Sequence, residues 1–162
     1  RQNGATLSEP VDMVVTSSAG LPLDLTFYQA VKGLTAALPI VEEGGTVLIV
    51  ARCDEGIGGP EFTDLLLSMP SVEEFSQRLE DPDFFVIDQW QLQELCKVMR
   101  KANVMMFSEG IQDEDRERVL VEMVPSVEGA IERVLDERGA DARIAVIPKG
   151  PYVLTQVQEV VS

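Results

Sequence analysis

Val47-Leu48-Ile49-Val50-Ala51 is an unbroken apolar run, three of its five residues β-branched. A run this short and this uniform reads as a β-strand buried on both faces. Met13-Val14-Val15-Thr16, Val104-Met105-Met106-Phe107 and Ile144-Ala145-Val146-Ile147 repeat the pattern. Val119-Leu120-Val121-Glu122-Met123 is a weaker fifth candidate, expected near a sheet edge.

Helical patterns fill the intervals. The first is expected over 24–38, with Asp24 as N-cap just past Pro22 and Phe27, Ala30, Val31, Leu34 and Leu38 on one stripe. Glu43-Gly44-Gly45 is expected to turn the chain into the second strand. Two short helices follow over 61–68 and 71–80, the latter opened by a Ser71/Glu74 capping box. Asp88 is expected to cap a longer helix to Lys101, with Leu92, Leu95, Cys96 and Met99 inward. Pro125-Ser126 opens a last helix through Arg138, which Gly139 ends. Strands alternating with helices predict an α/β fold: a Rossmann-like three-layer sandwich with a mostly parallel sheet of about five strands, one domain across residues 1–162. Ligands of such sheets gather at the carboxyl ends of the strands, here the loops 17–20, 53–56, 108–110 and 148–150.

Composition narrows the function. With 13 basic against 28 acidic residues the formal net charge is -15, which argues against nucleic acid and against an anionic membrane surface. No apolar run approaches the roughly 18 residues of a membrane span, and the two cysteines, Cys53 and Cys96, match neither zinc spacing nor a disulfide scaffold, so a cytoplasmic location is expected. The chain has no histidine, which removes the commonest general base and transition-metal ligand. It starts at Arg1 without a methionine, as a piece of a longer protein would. The acidic runs 80–83 and 113–115 read as solvated charge, because adjacent acids in a turn rarely converge on one cation. Gly56-Ile57-Gly58-Gly59-Pro60-Glu61 places Glu61 where a dinucleotide fingerprint needs its third glycine, so it reads as a glycine-rich turn.

One segment carries more polar chemistry than a core requires. Between Arg1 and Arg52, Lys32 is the only Lys or Arg. It stands three residues after Gln29, so the two are neighbours on a helix and point away from the apolar stripe. Leu25, Gly33 and Ala36 share that outer face, where charged residues are usual, so the face is expected to be covered. Trp90, the only tryptophan, falls opposite the inward stripe of its helix. Its indole N–H needs a partner when buried, which a ligand or another domain could supply.

Taken together, these residues resemble the C-terminal domain of the nickel-dependent lactate racemase family, the 2-hydroxyacid racemases and epimerases. The similarity runs in family order over nearly the whole chain: Val14-Val15-Thr16-Ser17, Gly20, Pro22-Leu23-Asp24, Tyr28-Gln29-Ala30-Val31-Lys32-Gly33, Glu43-Gly44-Gly45, Gly56 with Gly58-Gly59, Asp88-Gln89-Trp90 and Ala145-Val146-Ile147-Pro148. The resemblance implies a two-domain enzyme that racemises a small 2-hydroxy acid by hydride transfer through a 2-keto acid. A nickel-pincer nucleotide and the catalytic histidines would be held by the N-terminal domain, and this C-terminal (lid) domain would bind no cofactor alone. It further implies that Lys32, Gln29, Trp90 and Tyr28 lie on the substrate side, with no catalytic residue in this chain. Leu21 stands where the family often has an aromatic residue and Ile57 where it often has histidine, which leaves the substrate open. The competing expectation is a non-catalytic α/β interaction module whose outer face docks a protein.

Overall fold

A computed structural model describes residues 3–158 of the chain; Arg1 lies outside them. The elements are β1 (Asn3–Leu7), β2 (Val11–Ser17), α1 (Phe27–Ala30) continued by a 3-10 turn (Val31–Gly33), β3 (Val41–Val50), α2 (Pro60–Ser68), α3 (Val72–Arg78), α4 (Gln89–Lys101), β4 (Asn103–Phe107), β5 (Glu122–Met123), α5 (Val127–Arg138), β6 (Ile144–Ile147), a second 3-10 turn (Gly150–Tyr152) and β7 (Val153–Val157). Five strands form one wholly parallel sheet in the order β5-β4-β3-β2-β6. The weak fifth candidate is the two-residue edge strand β5.

Side-chain alternation along the strands divides the core. Val14, Val47, Ile49, Val104 and Met106 face the layer made by α1 to α4, whereas Met13, Val15, Leu48 and Met105 face α5 through Ala130 and Val134. The expected three-layer α/β sandwich is therefore the observed architecture. Phe27, Phe62 and Phe75 are completely buried in the larger layer, each contributing about 1.5–3 kcal/mol of transfer free energy.

Several local expectations are corrected. The first helix is not a continuous segment over 24–38. Its N-cap is Thr26, whose hydroxyl accepts from the Gln29 amide at 3.2 Å, and Asp24 is instead buried beneath the loop after β3, its carbonyl accepting from Cys53 N at 2.7 Å. The helix tightens at Val31, where Leu34 N donates to the Val31 carbonyl at 3.0 Å, and Thr16 Oγ1 donates to the Gly33 carbonyl at 2.9 Å, occupying an acceptor that a longer α-helix would use. Glu43-Gly44-Gly45 does not precede the second strand but lies inside β3, where the register against β2 shifts between Val11 and Met13 and Gly44 adopts φ +74°. β6 is an edge strand with Val146 exposed, so its apolar run is not buried on both faces.

A further element was not foreseen. β1 and β7 pair in parallel as a separate two-stranded sheet, Asn3 opposite Val153 through Leu7 opposite Val157. Thr155 Oγ1 of β7 donates to the Ala36 carbonyl, and Gly150 packs on Gly33. Gly33 and Ala36, on the outer face expected to be covered, are buried by this part of the chain itself. What stays accessible on that face is the stretch with Tyr28, Gln29 and Lys32, each half-buried.

Candidate substrate-side site

The segment from Thr26 to Gly33 is fixed from three directions. Phe27 N and Tyr28 N, the first-turn amides of α1, donate to the carbonyls of Gly56 and Ile57 at 2.9 Å each. The glycine-rich loop thus satisfies two helix-end donors, and Ile57 is buried in the process. Gly33 closes the other end. A Cβ there would lie 2.9 Å from the Ser17 carbonyl oxygen and 2.8 Å from Ile49 Cδ1, so no larger residue fits without displacing β2 or β3. Side chains between these anchors have little freedom to drift.

Lys32 Nζ donates to Gln29 Oε1 at 2.7 Å and stands 5.6 Å from the centroid of the Tyr28 ring. Among the described residues no carboxylate pairs with Lys32, whereas eight other Lys and Arg residues each have a carboxylate within 3.5 Å. Its charge is therefore oriented by a neutral amide and an aromatic face without being cancelled. Tyr28 meets Phe62 edge-on at 5.1 Å on one side and Trp90 edge-on at 5.9 Å on the other. Trp90, at the start of α4, is 48% exposed. The four residues singled out in the sequence, Lys32, Gln29, Tyr28 and Trp90, are thus brought into one cluster across α1, the following turn and α4.

Asp88 departs from its expected role. It occupies the N-cap position of α4, but in a left-handed conformation (φ +66°) and without a side-chain capping bond. Its carboxylate turns to the cluster and accepts the Tyr28 hydroxyl at 3.1 Å. Burial first, then the bond to Asp88 and its charge, raise the Tyr28 pKa above the ordinary phenol value, so Tyr28 is a neutral donor across the physiological range. Beyond its place in the family-like Asp88-Gln89-Trp90 stretch, nothing in the sequence distinguishes this aspartate from an ordinary cap.

The loops at the carboxyl ends of β2, β3 and β4 enclose a cavity of about 270 Å³ lined by Ser17, Gly20, Asp24, Arg52, Phe107 and Glu109. It is acidic apart from Arg52, and that guanidinium is paired with Asp54 at 2.9 Å. A larger cavity, about 440 Å³, opens at the opposite end of β4 beside Asn103, Glu122, Arg133 and Glu137. Its cation is bound by both Glu122 oxygens at 2.6 and 2.9 Å. Neither offers an uncancelled charge comparable to Lys32.

Among the described residues no nickel-ligating set is formed. The chain has no histidine. Burial pushes the Cys53 and Cys96 thiols up to about 11, so both are protonated at neutral pH. Among the described residues no three Cys, Asp or Glu side chains converge. No helix of the described residues is long and apolar enough to cross a membrane.

Residues 7–155 match the family model described as the lactate racemase C-terminal domain. The lactate racemase of Lactiplantibacillus plantarum is 31% identical over 147 residues, which is 90% of this chain and 35% of that protein. The lactate racemase of Thermoanaerobacterium thermosaccharolyticum is 28% identical over 151 residues, 92% of this chain and again 35% of that protein. The structure of the lactate racemase apoprotein from the same organism superposes with a TM-score of 0.82 at 29% identity, covering 95% of this chain and 37% of that one. A crystal structure of a Thermotoga maritima protein shares the fold with a TM-score of 0.60 at 10% identity, over 96% of this chain and 39% of that one. The chain thus spans about a third of the length of the curated relatives it matches. With its parallel sheet, its Tyr28–Gly33 segment and a family match over most of its length, this chain belongs to the lactate racemase C-terminal domain family.

Proposed function

We propose that this chain is the substrate-side domain of a two-domain, nickel-pincer-nucleotide-dependent 2-hydroxyacid racemase or epimerase. The observation that carries the reading is Lys32, a cation held at 2.7 Å by Gln29 and paired with no carboxylate among the described residues. A 2-hydroxy acid presents a carboxylate, and a fixed ammonium is the partner it needs. Gln29 keeps the ammonium in place and has its amide NH2 left to donate. Tyr28 and Trp90 wall the site with ring edges, which orient a small substrate and exclude water.

The residues of this chain do not fit the nickel cofactor, so both the cofactor and the proton-transferring groups are assigned to the N-terminal domain. The share of the relatives' length that the chain spans leaves room for such a domain. Leu21, Phe85 and Ile87 are exposed apolar side chains on the loop after β2 and the segment before α4. That domain would cover them. Two free, buried thiols suit a reducing cytoplasm.

The test is racemisation of a panel of 2-hydroxy acids by the full-length protein, wild type and Lys32→Ala. Steep loss of turnover with an unchanged thermal unfolding midpoint is expected. Unchanged turnover would remove Lys32 from the site and favour the interaction-module reading.

A further inference from the structure

α1, α3 and α5 are all capped in one way: the hydroxyls of Thr26, Ser71 and Ser126 accept from the backbone amides of Gln29, Glu74 and Gly129. α4 has an equally good capping residue and does not use it. Asp88 instead adopts φ +66°, a region that side chains rarely enter, and its carboxylate leaves the helix end for the Tyr28 hydroxyl, 60 residues away in sequence. Elsewhere at this terminus, Gln89 Oε1 accepts from Val86 N at 2.7 Å and the Asp88 carbonyl accepts from Gln91 N at 3.0 Å, so the chain path is held without the Asp88 side chain.

The Tyr28 ring is the common element of the cluster. Its face carries Lys32 Nζ at 5.6 Å, one edge contact is Phe62 and the other Trp90. An acceptor on the phenol oxygen fixes the tilt of the ring, and a carboxylate acceptor also makes the ring more electron-rich, which strengthens its hold on a cation. We propose that Asp88 is a positioning residue for substrate binding, which acts through Tyr28 to hold Lys32 at the substrate carboxylate and Trp90 beside it. This rests on the reading of Lys32 as the carboxylate partner. Asp88 itself touches neither substrate nor Lys32.

The test uses the full-length protein and the 2-hydroxy acid that the wild type turns over fastest. Asp88→Gly removes the carboxylate while relieving the left-handed backbone, so a purely structural role predicts wild-type KM. The positioning role predicts a KM raised about tenfold or more with a smaller change in kcat, no further loss when Tyr28→Phe is added, and substantial rescue in Asp88→Asn, which retains an acceptor oxygen and tolerates positive φ. An independent readout needs no turnover. In 3-fluorotyrosine-labelled protein, with the Tyr28 resonance assigned through Tyr28→Phe, its titration midpoint should fall in both Asp88→Asn and Asp88→Gly. Wild-type KM in Asp88→Gly, or an unmoved Tyr28 midpoint, overturns the proposal. Lys32→Ala run in parallel separates the two claims: if Lys32→Ala loses activity and Asp88→Gly does not, only the positioning role fails, whereas an active Lys32→Ala removes the reading beneath it.

Discussion

Lys32 and Arg133 are both partly buried cations on helical segments, on opposite faces of the same parallel sheet. Arg133 of α5 is gripped by both Glu122 oxygens, which raises its pKa further, and its charge is used up in a structural pair. Lys32 is positioned as tightly, at 2.7 Å, but by a neutral amide and an aromatic ring. Lys32 shares its lack of a carboxylate partner with Arg100, Lys101 and Lys149 among the described residues; what sets it apart is the Gln29 amide and the Tyr28 ring that hold it beside Trp90. On the reading proposed above, the contrast separates a charge that closes the surface from one kept for a ligand. The partner's chemistry, carboxylate or amide, decides it.

The strongest way to break this contrast is to delete each cation in the full-length protein. A charge-assisted hydrogen bond to a bound carboxylate is worth about 1.5–3 kcal/mol, so Lys32→Ala should lower kcat/KM roughly 10- to 150-fold in a racemisation assay. A loss below threefold would place Lys32 with the structural cations. Next comes the scaffold beneath Lys32. A Cβ at Gly150 would overlap the Gly33 carbonyl oxygen and stand 2.6 Å from Thr16 Oγ1. Gly150→Ala should therefore destabilise by about 1–3 kcal/mol, read as a lower urea midpoint, while Gly139→Ala, a site with open space but φ +100°, reports strain without crowding.

The buried thiols sharpen the comparison of the two layers, because both lie in the core on the Lys32 side and neither in the core beneath α5. Burial raises Cys53 and Cys96 from 9.0 to about 11 in the folded protein. Their contribution to stability is complete below pH 9 and disappears as pH rises from 9 to about 11, because the unfolded chain loses those protons first. Cys53 alone accounts for about 3 kcal/mol of that fall at most. Chemical denaturation at pH 8 and pH 10.5 measures it, and an equal midpoint at both would contradict the burial. The smallest effect is expected for Arg133→Ala. Its pair with Glu122 is about half exposed, so stability should change by less than about 1 kcal/mol, with racemisation unaffected.

Legibility followed the range of the interaction. Short apolar runs marked β2, β3, β4 and β6, a 3.6-residue stripe marked α4, and end signals marked α3 and α5, because these patterns are written within a dozen residues. The α1 segment was over-extended because the acceptor at its end is occupied by Thr16, 17 residues away. β1 and β7 were invisible because each is a strand only by pairing with the other, 150 positions along the chain. Val146 looked like a core residue, yet β6 ends the sheet and no layer covers that position. Among the cluster residues, Lys32, Gln29, Tyr28 and Trp90 stood out by charge, rarity and family resemblance. Asp88 was hidden because an aspartate before a helix already has an ordinary explanation.

By itself, the sequence determined the alternation of strands and helices, the two faces of the sheet, the scarcity of cations and the lack of imidazole chemistry. These depend on residue type and near spacing. Only the tertiary structure decided that Gly33 and Ala36 are covered by the chain's own C-terminal strand, that Lys32 keeps an unpaired charge, and that Asp88 leaves its helix for Tyr28. Each of those outcomes is a choice among partners far apart in sequence, made by which groups the folded chain brings within hydrogen-bonding or packing distance.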